Sequence, residues 1–583
     1  MKKIIIGIAA VGFLSSCQQV AGWFGKNDST DSTLTSENAH AAFVRDESIT
    51  RENSYSDLFL DSAALENYVK KENIPGDVAN KMRNFYLVRN NQFAWFTSKG
   101  MTEQARGLWS LYGSENKQSK DEPAAKVAER MDSLMTSDSL AYGRSFSSNT
   151  DSASAKKDSV ALVGEMAVFD TASFSAADTS LVQTELALTA QLVHMTGDNK
   201  GVVTAENYLW LVPRKKMDAM QLADSLLHKQ KDSALWQGNA QYAALKQNLN
   251  QYYTAAQGDG WPVISSAAGL RKGTKSPAVT ALKKRLAATG DYNVADTSNV
   301  FTDSLAMAIR SVQEQFGQRA TGEATDSLVQ ELNVPAAQRV QQILVNMNRV
   351  LWMPQASDSI EINVNIPSLD LVVYRDTAMV MKMPVIVGKE GTGTMAFRDQ
   401  ITQVVFSPYW NIPENIVQRE IKPKMEKDSG YLRKNHMEIV KQDDSLPQIR
   451  QLPGKDNALG RVKFMFPNSF DIYLHDTPNR DLFKQKNRAL SHGCIRVANP
   501  DSLAHFILRD QPEWTPEKIT QAMNGDKEQK VDVKKPVPVV ITYYTAWSGK
   551  NGKLNFRKDV YGYDKRTAEK MFTNAALSAQ RPA

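Results

Sequence analysis

The chain has 583 residues, 42% hydrophobic and 23% charged, and a net charge of +6 from 70 basic and 64 acidic side chains. That length is too great for one core and predicts roughly two to four domains of ordinary soluble composition. The charge excess is mild and no dense Lys/Arg block interleaves with aromatics, which argues against a nucleic-acid partner but leaves an acidic polymer or a membrane surface compatible.

The chain opens on a charged pair, Lys2 and Lys3, and an apolar run from Ile4 to Leu14 that is too short to span a bilayer. The run ends in Leu14-Ser15-Ser16-Cys17, which resembles a bacterial lipobox, where cleavage precedes a cysteine that is then acylated. Residues 1–17 are therefore expected to be a lipoprotein signal with Cys17 lipidated; the alternative is an ordinary secretory signal with Cys17 incidental. Several acyl chains, at about 0.8 kcal/mol per buried methylene, hold a protein on a membrane where one does not. Gln18, rather than Asp, points to the outer membrane. With Cys17 consumed, Cys494 is left without an intramolecular disulfide partner despite the export signal. A lone thiol there is open to oxidation, so reactivity is the reason to keep it.

Residues 18–55 are rich in Ser, Thr, Asp and Asn and read as a flexible tether. A helical scaffold is expected over 56–260. Phe85, Tyr86, Phe93, Trp95 and Phe96 are its first aromatic anchors, and Leu181, Leu186 and Leu188 open its second half. Tyr242, Leu245, Leu249 and Tyr252 then recur at spacings of three and four. About 114–175 the composition shifts to Ser, Asp, Ala and Lys, predicting a low-complexity insertion with a short helix near Ala125 to Met135. No catalytic constellation lies in this scaffold.

Residues 265–335 predict a three-helix module. Val279, Leu282 and Leu286 mark one face after Ser276-Pro277, Leu305, Ile309, Val312 and Phe316 a second, and Leu328 and Leu332 a third. The pattern Leu270, Gly273, Val279, Leu282, Leu286, Gly290 and Tyr292, then Phe301, Ala308, Val312, Phe316 and Gly322, resembles a small helical peptidoglycan-binding domain. A helical spacer without ligand is the alternative.

After a helix near Ala337 to Leu351 the period becomes two: Ile360-Glu361-Ile362-Asn363-Val364-Asn365-Ile366 alternates as a strand does. Short β-rich runs follow at 371–374, 380–383, 385–387, 403–406, 462–466 and 539–543, predicting a β-rich, sandwich-like domain over 345–545. The exception, about 413–460, has helical potential and mixed charge and is a candidate lid. Residues 546–583 are expected as a C-terminal tail. The fold class is multidomain α+β.

The chemistry gathers at Leu490-Ser491-His492-Gly493-Cys494-Ile495-Arg496-Val497. A free thiol is only slightly ionised at neutral pH, and a nearby imidazole can take its proton. His475, ending the run Ile472-Tyr473-Leu474, and His492, two residues before the cysteine, are both candidates. Gly493 permits a sharp turn and close backbone approach, which suits amide donors aimed at an oxyanion. Gly388-Lys389-Glu390-Gly391-Thr392-Gly393 lacks the residue order of a phosphate loop.

Ser491-His492-Gly493-Cys494-Ile495-Arg496, with His475 upstream, resembles the catalytic motif of the L,D-transpeptidases (YkuD type). Tyr473-Leu474-His475-Asp476-Thr477-Pro478, Pro408-Tyr409-Trp410-Asn411-Ile412-Pro413 and Val364-Asn365-Ile366-Pro367 extend the likeness toward the large multidomain, YcbB-like branch. The resemblance implies that Cys494 attacks the third residue of a tetrapeptide stem, expels the terminal D-alanine, and passes the acyl group to an amine of a second stem as a 3→3 cross-link. It implies His475 as general base, the Asp476 backbone carbonyl as its orienter, and backbone amides at Gly493 and Cys494 as the oxyanion hole. His492 would be supportive and, with Ser491, near the substrate. Arg496 would orient a substrate carboxylate or serve a structural salt bridge, and Tyr473 and Trp410 would wall the donor groove or simply pack the core. No cofactor or metal is called for. The implied partners are peptidoglycan stems, as donor and acceptor, and a membrane through Cys17; a monomer in the cell envelope, facing the periplasm, is expected.

The sequence departs from the family at Thr392-Gly393-Thr394-Met395-Ala396-Phe397, where relatives often carry a Thr-Pro-x-Phe-like turn, and in the insertion at 114–175. Two other readings compete: a non-catalytic, lipid-tethered peptidoglycan anchor, and a zinc amidase with His475, His492 and Cys494 as ligands, which lacks zincin spacing.

Overall fold

A computed structural model describes residues 43–117, 127–131, 133–134, 174–197, 210–228, 238–293, 295–353, 360–376, 378–442, 446–468 and 470–577. The expected signal with Cys17, and most of the 114–175 insertion, lie outside these residues. The described end of the expected tether is not loose: Tyr55 is buried and its amide donates to the Arg214 carbonyl at 3.0 Å.

Helices α1 (Ser62–Lys71), α2 (Gly76–Leu87), α3 (Glu103–Lys117), α4 (Thr179–Gly197), α5 (Ala219–His228) and α6 (Ala240–Gln257) surround the first apolar core. Their ends carry local caps: Asp61 accepts from the Ala63 amide and Asn239 from that of Tyr242. Phe85, Tyr86, Phe93, Trp95, Phe96, Leu181, Leu186, Tyr242, Leu245 and Leu249 are all buried there. Ala128, Met131 and Leu134, from the short helical piece inside the insertion, join them.

Helices α7 (Pro277–Ala288), α8 (Asp303–Gln315) and α9 (Asp326–Leu332) enclose a separate small core of Val279, Leu282, Leu286, Leu305, Ile309, Val312, Leu328 and Leu332. Pro277 occupies the first turn of α7, and Thr302 and Thr325 cap α8 and α9. Helix α10 (Ala336–Val350) follows and is buried along nearly its whole length, packed into the first core.

The region from 360 to 542 holds one nine-stranded sheet: β1 (Ile360–Asn365), β2 (Asp370–Arg375), β3 (Ala378–Gly388), β4 (Phe397–Phe406), β5 (Val462–Met465), β6 (Leu474–His475), β7 (Ala489–Ser491), β8 (Ile495–Val497) and β9 (Gln529–Thr542). Its order is β7-β3-β8-β6-β5-β4-β9-β1-β2, and β2 pairs again with β3. That last pairing turns eight of the strands into a closed circuit, with Val462, Phe464, Leu474, Ile495 and Val497 pointing into its core. Helices α11 (Pro500–Ile507) and α12 (Pro516–Met523) fill the connection between β8 and β9 and bury Leu503, Ile507 and Ile519 against the same core.

The segment at 413–460 is mixed, not purely helical. Short helical turns at 414–434 are followed by strands Met437–Lys441 and Gln448–Gln451, which pair with Trp410–Asn411 in a three-stranded sheet. Ile412, Ile416, Val417, Ile421 and Ile449 give it a core of its own.

The C-terminal stretch is not a tail. A hairpin of Ala546–Ser548 with Leu554–Phe556 and helix α13 (Tyr563–Met571) bury Ala546, Leu554, Phe556, Ala568 and Met571 in the first core. The same stretch ties the other units together. Lys553 pairs with Asp291 at 2.7 Å, Arg557 donates to the Gln315 carbonyl at 2.7 Å, and the Ser548 amide donates to Gln241 at 3.0 Å.

Candidate active site

Strands β6 and β8 run parallel with Leu474 opposite Ile495 and His475 opposite Arg496. Side chains alternate along a strand, so Leu474 and Ile495 enter the core while Tyr473, His475, Cys494 and Arg496 share the opposite face. Strand β5 adds Lys463, which is paired in register with His475. The Tyr473 and His475 rings lie 5.7 Å apart on this face.

His475 is 4% exposed, and its Nδ1 lies 2.5 Å from the Asp476 carbonyl oxygen. A carbonyl can only accept, so Nδ1 carries the proton and Nε2 keeps the basic lone pair. The Asp476 carboxylate, on the other side of the backbone, fixes that carbonyl. It accepts from the amides of Arg461 at 2.9 Å and Thr477 at 2.6 Å and pairs with Arg480. Gly460, at φ +62°, lies against it where a Cβ would collide with the carboxylate.

Cys494 keeps part of its surface open and points its thiol at the Asp471 carbonyl, 3.4 Å away. That carbonyl is delivered by a turn in which Asn468 accepts from the Phe470 amide at 3.0 Å and the Ile472 amide at 3.1 Å, with Asp471 itself left-handed at φ +52°. Burial pushes the thiol up to about 11, although hydrogen bonds from Tyr473 pull against it. Burial, aided by the Arg496 and Lys463 charges, holds His475 down at about 3 despite the carbonyls of Asp476 and Leu459. Both groups are therefore neutral near pH 7, and the proton must move during attack rather than before it.

The turn before the cysteine is held from within. Gly493 stands at φ +125°, which a side chain would strain. Its amide donates to Ser491 Oγ at 3.1 Å, and that hydroxyl donates onward to the Cys494 carbonyl at 2.6 Å. Ser491 was expected to touch substrate, but it is 2% exposed and its hydroxyl is spent inside the turn. The Gly493 amide, expected in the oxyanion hole, is engaged for the same reason. Of the two amides expected there, that of Cys494 is the one this pattern leaves unused.

A second brace comes from residues that sequence reasoning missed. Thr394 Oγ1 donates to the Gly493 carbonyl at 2.7 Å and accepts from the Gly388 amide at 2.9 Å. Tyr561, from the C-terminal stretch, donates to the Gly388 carbonyl at 2.6 Å and accepts from the Thr394 amide at 3.2 Å. The turn at 392–397, flagged as a departure from the family, thus grips the cysteine motif. That mismatch and the threonine were the signals available; Tyr561 offered none.

The other expected site residues fall in different places. His492 pairs through Nε2 with Glu420 of the 413–460 segment, 3.1 Å away. Trp410 packs against that segment's core. Among the described residues no group of three His, Cys, Asp or Glu side chains could hold a metal, so the ligand set of the zinc reading is not assembled.

Comparison with known proteins matches three stretches of the chain to families. The family model described as "L,D-transpeptidase catalytic domain" (YkuD) matches residues 359–540. One described as "Scaffold domain" matches 80–249, and one described as "Putative peptidoglycan binding domain" matches 275–332. A curated Haemophilus influenzae protein named "Putative L,D-transpeptidase" is 35% identical over 242 residues, 39% of this chain and 48% of its own length. The chain thus spans about half the length of that curated relative. Among solved structures, an L,D-transpeptidase from Mycobacterium smegmatis is 13% identical over 32% of this chain and 58% of its own, with a TM-score of 0.19. One from Stackebrandtia nassauensis is 16% identical over 42% and 90%, with a TM-score of 0.19. At such scores these two add nothing to the argument.

Proposed function

Residues 359–540 form an L,D-transpeptidase catalytic domain of the YkuD family, and on that premise we propose that the chain is a peptidoglycan L,D-transpeptidase using Cys494 as nucleophile and His475 as base. The observation that carries the reading is the tautomer: Nδ1 is committed to the Asp476 carbonyl, and the basic Nε2 belongs to the sheet face that also bears Cys494.

As His475 Nε2 takes the thiol proton, Cys494 Sγ bonds to the carbonyl carbon of the third stem residue. The resulting oxyanion is met by the Cys494 amide; removal of one such donor typically costs about 3 kcal/mol. Collapse breaks the peptide bond, and the imidazolium proton goes to the departing D-alanine amine. A second stem's amine then attacks the thioester, gives its proton to His475, and expels the thiolate, which recovers that proton. The product is a 3→3 cross-link. The segment at 413–460 serves as a lid whose Glu420 touches the cysteine motif through His492.

The module at 275–332 supports a peptidoglycan substrate and work in the cell envelope. Anchoring through lipidated Cys17 to the outer membrane completes the proposal. No helix among the described residues is long and apolar enough to cross a membrane.

Incubation with a tetrapeptide stem, read by intact mass, tests the activity. A thioester adduct and released D-alanine are expected from the unaltered chain and neither from Cys494→Ala. Wall binding without adduct in the unaltered chain would favour the non-catalytic anchor.

A further inference from the structure

His475 lies between two cations. Arg496 is its register partner on β8 and Lys463 its partner on β5, so both backbone positions are about 5 Å from it on adjacent strands. Both side chains are half-buried. Neither makes a side-chain hydrogen bond or ion pair among the described residues, and Arg496 Nε is buried without a partner. Lys463 Nζ lies over the face of the Tyr473 ring, 5.9 Å away. The acidic group that most attracts it, Glu528, is already committed to the Tyr409 amide at 3.0 Å and Lys530 at 3.5 Å. Burial lowers the affinity of both cations for their protons. Uncompensated cations at this depth are costly, and a fold that keeps two of them beside one imidazole is built for an anion from outside.

Reaction geometry says which anion. The departing amine must stand at His475 Nε2 to collect its proton, and the carboxylate of a C-terminal amino acid is only two bonds from that nitrogen. We propose that Lys463, with Arg496, binds the free C-terminal carboxylate of the donor peptide, so that the site selects donors ending in an unblocked amino acid. This rests on the transpeptidase reading above. Lys463 is a binding residue in it, and its charge does not transfer a proton.

The test uses the full chain carrying Cys494→Ala and two stem tetrapeptides, one with a C-terminal acid and one with a C-terminal amide, followed by calorimetry. The acid is expected to bind about tenfold tighter, as a charge-assisted hydrogen bond allows. Lys463→Met should remove that preference by weakening the acid alone, and Lys463→Arg should restore it. An acid-over-amide preference that survives Lys463→Met, or an equal loss for both peptides, overturns the proposal. With Cys494 intact, Lys463→Met should raise KM for the acid about tenfold and leave KM for the amide within about twofold. If the intact chain never releases D-alanine yet shows the charge-dependent preference, the transpeptidase reading fails and the carboxylate site stands. Turnover with unchanged KM in Lys463→Met overturns the carboxylate site alone.

Discussion

Arg349 in the helical core and Arg496 beside the cysteine are both withdrawn from water, but the chain treats them differently. Arg349 is 1% exposed and answered on several sides, by Glu103, by Asp564 at 2.8 Å and by the side-chain oxygen of Asn346 at 3.1 Å. Burial opposes its charge, yet Glu103 and Asp564 hold that charge more firmly than in water. Among the described residues Arg496 has no such company, and burial weakens its hold on the proton. The first arginine joins α3, α10 and α13 into one frame. The second has a buried Nε with no hydrogen-bond partner among the described residues, which is what the proposed carboxylate site would use.

Several experiments would break or sharpen this contrast. The largest effect is expected at the nucleophile: Cys494→Ala should abolish acyl transfer, by at least about a thousandfold, and leave the melting temperature unchanged. A large loss of stability there would erase the distinction between frame and site. In the frame the reverse is expected. Glu103→Gln leaves Arg349 partly unanswered and should cost about 3 kcal/mol in urea unfolding, with activity per folded molecule preserved.

Thr394→Val lies between the two regions. It removes the hydroxyl shared by Gly493 and Gly388 and should cost about 1–2 kcal/mol of stability. Turnover should fall about tenfold, because the cysteine's turn is no longer held from outside. Stability loss without a kcat loss would assign the hydroxyl to the frame alone.

The thiol offers a pH test. Burial favours its neutral form, so thiolate accumulates only as pH nears about 11. Iodoacetamide labelling of Cys494 should therefore climb about tenfold per pH unit from 7 to 10. A plateau by pH 8 would instead signal a standing thiolate–imidazolium pair. The smallest effect is expected at the exposed His492–Glu420 contact. Glu420→Gln should change turnover by about twofold or less, as surface ion pairs contribute little.

The helical module at 277–332 was legible because its apolar spacing and turn residues are local, and α7, α8 and α9 stand where the periodicity put them. Ile360 to Asn365 announced a strand by alternation, though its position between β9 and β2 buries more of it than alternation suggests. The cysteine motif stood out by composition. What composition could not supply was register. Strands β6, β7 and β8 are two or three residues long and carry no periodic signal, yet their pairing brings Lys463 to His475. The strands at 437–451 were hidden by their polar residues. The stretch at 546–571 reads as a tail because the core that buries Ala546, Leu554, Phe556, Ala568 and Met571 is built largely from residues hundreds of positions away. The engagement of Ser491 and of the Gly493 amide inside the turn was likewise unreadable, since it depends on one hydroxyl's two bonds.

Tyr561 also sets an order of events. Every strand of the catalytic sheet, and the cysteine itself, leaves the ribosome before this residue does. The Tyr561 brace on the nucleophile's turn, with Tyr543 and Tyr561 stacked 5.5 Å apart, can form only once this residue has been made. The full bracing of the cysteine's turn is thus a late event in synthesis. A thiol that could react with any passing acyl group or oxidant during biogenesis gains this grip only after the helical frame and the 275–332 module have been synthesised.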